Sequence, residues 1–110
     1  MNINDTYTGV EQPKLVAKRY ERSTMYYAPY DISEDNGTYT CKYVPIFPDD
    51  YNYGGMVDAI IGVKYPLKES LAVVNNYLLD PNNEKYVAEF LEMQEWRKFA
   101  KSEARKHFNL

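Results

Sequence analysis

The chain has 110 residues, of which 45% are apolar, 15% aromatic and 26% charged, a globular composition rather than the charge-rich, aromatic-poor one of disordered chains. That length is enough for one hydrophobic core and too short for two independent ones, so a single domain over residues 1–110 is expected. A formal net charge of -3 argues against a general nucleic-acid binder, whose affinity comes from Lys and Arg neutralising phosphates.

The single cysteine, Cys41, leaves no partner for a disulfide within the chain and no thiolate zinc cluster. The opening residues Met1, Asn2, Ile3, Asn4 and Asp5 lack the basic start and apolar run of a secretory signal, and no stretch approaches the roughly 20 apolar residues needed to cross a bilayer. The expectation is cytoplasmic synthesis with no membrane association.

From Lys14 to Phe47 the chain is rich in Val, Thr, Tyr and Phe and is punctuated by turn formers, the pattern of short strands. Leu15–Tyr20 is one expected strand and Thr24–Tyr27 a second. Ser33-Glu34-Asp35-Asn36-Gly37 marks a hairpin, because Asn-Gly readily takes the left-handed conformations of a tight turn. Thr38–Phe47 is its second arm, with Tyr39, Cys41 and Tyr43 on one face and Thr38, Thr40, Lys42 and Val44 on the other, one face buried and one wet. Pro45 and Pro48 cannot donate ladder hydrogen bonds, so this arm should lie at an edge or finish near Pro45. Pro48–Gly55 reads as the loop joining a β-rich half, residues 1–50, to a helical half, residues 51–110.

After Gly55 the apolar period changes from two to about 3.6. Met56, Ala59, Ile60 and Val63 predict a short helix that stops where Pro66 restricts Tyr65. Pro66 opens a second helix with an apolar stripe of Leu67, Leu71, Val74 and Leu78. Asp80-Pro81-Asn82-Asn83 ends it and supplies an Asn cap for a last, long helix over about Glu84–Phe108. That helix is acidic in its first half and basic in its second, which complements its dipole at both ends. The expected fold is therefore α+β, a small antiparallel sheet of three to four strands packed against three helices.

No residues assemble into recognisable catalytic machinery. His107 lies near the end of the last helix, where a fraying turn is a poor place for a base, and Cys41 reads as a packed strand residue. Asp49-Asp50 and Glu34-Asp35 do not fall in a metal-ligand pattern, and Gly54-Gly55 lacks the Lys-Ser or Lys-Thr of a phosphate loop, so helix-start flexibility accounts for it. The basic stretch Arg97–Lys106 sits where cations suit the dipole and is countered by Glu103. The reading is of a protein that is not an enzyme and has no catalytic, cofactor-binding or metal residues, no cofactor, and no nucleic-acid or membrane partner.

Tyrosine is the anomaly. There are 12, nine of them before residue 54. The ring is large and rigid with a polar tip, which suits strands and equally suits protein interfaces. Tyr26, Tyr27 and Tyr30, with Tyr51 and Tyr53 in the junction loop, put adjacent rings on opposite faces or in loops, so some are expected to be exposed as a surface for protein contact, or for stacking on sugars.

The stretch Met56–Tyr65, followed by Leu71–Leu78 and then Glu92-Met93-Gln94-Glu95-Trp96-Arg97, resembles the C-terminal part of small proteins encoded by phages and prophages of gut bacteria, which tend to lie among virion structural genes. The resemblance covers about half of the chain and brings no active site with it. It implies a virion structural or accessory protein acting by contact with virion components or with itself. The alternatives are an assembly chaperone for a tail or fibre protein, absent from the mature particle, and a small regulator that binds a host protein.

Overall fold

Two residues in left-handed conformation, Asn36 at φ 52° and Gly37 at φ 81°, close a two-residue hairpin between Asp35 and Thr38, as the Asn-Gly pair predicts. The computed structural model describes residues 6–110; Met1–Asp5, on which the absence of a secretory signal is read, lie outside the described residues. The hairpin is the centre of a four-stranded antiparallel, curled sheet. Its strands are β1 (Thr6–Gly9), β2 (Val16–Arg19), β3 (Thr24–Asp35) and β4 (Thr38–Ile46), in spatial order β1-β4-β3-β2. The α+β expectation holds. β1 was not anticipated, since its four residues carry no run of strand formers long enough to read.

The prolines sit where a missing donor costs least. Pro29 of β3 lies past Tyr27, the last residue that β2 pairs, and Pro45 of β4 lies past Lys42, the last that β1 pairs. β4 is therefore an inner strand that continues through Pro45 to Ile46 and pairs Pro45 with Tyr27. The register between β3 and β4 shifts between Tyr30 and Ser33, where Asp31 adopts φ 54°. This bulge divides β3: Tyr27–Tyr30 before it are buried and Asp31–Asp35 beyond it are exposed.

After a short 3₁₀ turn over Pro48–Asp50 come α1 (Tyr53–Lys64), α2 (Leu67–Leu79) and α3 (Glu84–Phe108). Asn52 caps α1 by accepting from Gly55 N–H at 2.8 Å, and Asn83 caps α3 by accepting from the N–H groups of Lys85 and Tyr86. At the other end of α3 the chain exits through Asn109 in left-handed conformation, with Arg105, Lys106 and His107 in the last turn. Gly55 is required for space rather than flexibility, because a side chain there would strike the Asp50 carbonyl.

In β4 Cys41 and Tyr43 are buried while Thr40 and Lys42 are exposed, as alternation predicts, but Val44 on the expected wet face is buried, because toward Ile46 the sheet is covered on both faces. On the helical side Ala28, Tyr30, Val44 and Ile46 meet Met56, Val57, Ile60 and Ile61 of α1, and Ala100 and Ala104 of α3. Two alanines one turn apart let α3 approach closely. On the other side Tyr27, Cys41 and Tyr43 form a second, smaller core, covered by Tyr7, Val16 and Met25 of the flanking strands and β3 itself. Tyr7 pairs in register with Cys41 and Val16 with Tyr27, so both side chains pack beside this core on the same face.

Within α1 the buried stripe is Met56, Val57, Ile60 and Ile61, whereas Val63 is exposed. Trp96 of α3 locks α1 in place by donating its indole N–H to the Ile60 carbonyl at 3.0 Å. Lys64 lies over the same ring and pairs with Glu92 at 3.1 Å. Among the described residues no helix is long and apolar enough to cross a membrane.

Candidate functional site

The tyrosines expected at the surface are largely internal. Tyr27 and Tyr30 are buried, at 6% and 4% exposure, so neither can present a ring to a partner without unfolding. Tyr26, Tyr51 and Tyr53 are half-buried. Tyr26 meets Tyr51 edge-on at 5.2 Å between ring centres, Tyr30 meets Phe99 at 6.5 Å, and Tyr53 lies under the Arg105 guanidinium. Four of the five thus gather where the sheet meets the C-terminal turns of α3, while Tyr27 belongs to the opposite core. Strand parity cannot warn of this, since it assigns rings to two faces and the curled sheet buries both.

Both tyrosine hydroxyls of the second core have partners. Tyr27 shares a hydrogen bond with Tyr20 at 2.7 Å, and Tyr43 donates to the Lys14 carbonyl at 3.2 Å. Burial raises the pKa of Tyr30, Tyr43 and Tyr51, and for Tyr27 the hydrogen bond with Tyr20 does so first and burial second.

His107 does not fray. Its Nε2 lies 2.6 Å from the Tyr51 hydroxyl, its ring packs on Tyr51 and Phe108, and burial lowers its pKa. The neighbouring Glu103 is buried; its Oε1 accepts the Asp31 N–H at 2.6 Å and its Oε2 accepts from Lys106 at 3.1 Å. Glu103, Lys106 and His107 line a crevice with Lys14 and Tyr30; the Glu103 contact with Asp31 ties α3 to the bulge, the His107 contact ties it to Tyr51, and the Glu103–Lys106 pair lies within α3. Cys41 lies in the core on the other side of the sheet, its thiol pushed up to about 11 by burial and by the Asp31 carboxylate, so it holds no thiolate near neutral pH. Asp49, Asp50, Glu34 and Asp35 are all exposed, and the described residues contain no group of three or more His, Cys, Asp or Glu able to hold a metal.

The feature left open to a partner is the apolar stripe of α2. α2 buries none of its residues. Leu67 is 77% exposed, Leu71 53% and Leu78 68%, with Val74 half-buried between them. The helix meets α3 instead through Tyr77, which stacks flat on Phe90 at 4.2 Å, and Ser70 ties its first turn back to the Tyr65 carbonyl at 3.1 Å. Leu79 and, on α3, Leu91 add to the exposed apolar surface. Lys68 and Glu69 are the only charges in α2, in contrast to the heavily charged α3. That scarcity was a usable signal in the sequence, since a solvated helix normally carries more charge.

Comparison of the chain with protein-family models, with curated proteins and with solved structures returned no match.

Proposed function

We propose that the protein acts by protein contact and not by catalysis, with the leucine face of α2 as its contact surface, as a small phage-type structural or accessory component of a virion. The observation that carries the contact reading is the row of exposed leucines on a helix that already meets α3 through the stacked Tyr77 and Phe90. A chain that builds two cores and still leaves Leu67, Leu71 and Leu78 in water retains a surface of the kind that marks an interaction site. The virion setting is supported by the resemblance carried by Met56–Tyr65, Leu71–Leu78 and Glu92–Arg97.

The test is mass spectrometry of purified particles made with the wild-type chain and with a Leu71→Glu, Leu78→Glu variant. The expected result is the wild-type chain at fixed stoichiometry and loss of the variant, which should fold because both sites are exposed. A chain present during assembly and missing from particles points instead to a chaperone. A stable complex with one host protein, with none in particles, points to a regulator.

A further inference from the structure

The leucine face has a symmetry that names an occupant. Leu67, Leu71, Val74 and Leu78 are spaced four, three and four residues apart, so the row reads the same from either end. Two such rows laid antiparallel set Leu67 against Leu78 of a second copy and Leu71 against Val74, the self-complementary pairing that a two-fold axis requires. The spacing is also that of a coiled-coil seam.

Charge selects the same arrangement. At the N-terminal end of α2 Lys68 flanks the row, with Glu69 about 100° further round the helix on its far side, while the C-terminal end runs into Asp80 and then Glu84, which Lys85 follows. Antiparallel pairing brings the lysine end of one copy to the acidic end of the other and opposes the two helix dipoles favourably. Parallel pairing would set Lys68 beside its own copy. Within the seam there is no charge to desolvate, because Lys68 and Glu69 are the only charged residues of the helix and neither belongs to the row.

We infer that the occupant of this face is a second copy of the chain, forming a two-fold dimer through antiparallel α2 helices. The inference rests on the contact-face reading above and commits it to self-association.

Sedimentation velocity on the full chain over a wide concentration range tests it. The expected result is a reversible shift to twice the monomer mass as concentration rises, absent in Leu71→Glu. Orientation is read by disulfide trapping, which buried Cys41 should not disturb. An oxidised mixture of Leu67→Cys and Leu78→Cys chains should give the mixed dimer, and neither chain alone should do so efficiently. Self-crosslinking of Leu67→Cys overturns the antiparallel arrangement. A wild-type chain that stays monomeric throughout overturns the second-copy inference and leaves the particle experiment standing, whereas a dimer that never enters particles overturns only the virion reading.

Discussion

The Tyr51 hydroxyl and His107 Nε2 lie 2.6 Å apart, fastening the chain just after the 3₁₀ turn to the last turn of α3. Burial lowers the His107 pKa below its ordinary 6.5, so the folded protein takes up this proton at a lower pH than the unfolded chain does. Between those two values the unfolded state binds more protons, and stability rises with pH. The contribution is complete above 6.5 and is lost as pH falls from there toward the folded value. Urea midpoints measured from about pH 8 to about pH 5 should decline through this window and flatten in His107→Gln. A midpoint that rises as the pH is lowered would contradict the assignment.

Gly54 and Gly55 stand side by side and should respond differently to alanine. At Gly55 a Cβ meets the backbone carbonyl of Asp50, which cannot swing aside as a side chain can, whereas at Gly54 the nearest atom is the Asn52 side-chain oxygen at 3.6 Å. Gly55→Ala should lower stability by about 2–3 kcal/mol, and Gly54→Ala should be neutral or gain a few tenths through helix propensity. Chemical denaturation of both variants checks the difference; equal effects would show that the pair serves only as a flexible helix start.

Glu103 supplies the acceptor that the bulge at Asp31 lacks in the sheet ladder. Glu103→Ala leaves that N–H without its partner and should cost about 1–3 kcal/mol. Glu103→Gln keeps a carbonyl oxygen in reach and should recover most of the loss, even though the exposed Lys106 forfeits its ion pair. Loss of the same size in both variants would mean that the charge, rather than the acceptor, matters.

Cys41 should be inert in the native protein, since its thiol is buried and its pKa stands at about 11. Reaction with a disulfide reagent near neutral pH should be slow and should match the rate of a free cysteine only in denaturant. A full native rate would show that the β1–β4 cover opens readily.

The elements were legible because their signals are local. Asn36-Gly37 specifies its turn through left-handed backbone, Asn83 caps α3 with its own side chain, and Pro66 limits α1 through sterics with its neighbour. The chain by itself determined the α+β class, the hairpin, three helices and the charge gradient of α3. The coverage of each apolar face was left to the tertiary structure. Tyr27 and Tyr30, two of the candidate contact tyrosines, are inside, Tyr30 in the core beneath the helices and Tyr27 in the second core on the opposite face. Leu67, Leu71 and Leu78 form the apolar stripe of α2 and yet lie outside, while α2 meets α3 through Tyr77. Periodicity states only that a helix has an apolar side; which neighbour reaches it depends on how α1 and the sheet fix α3, through contacts such as Trp96 to Ile60, 36 residues apart. Long-range packing of that kind decided where the candidate contact surface lies.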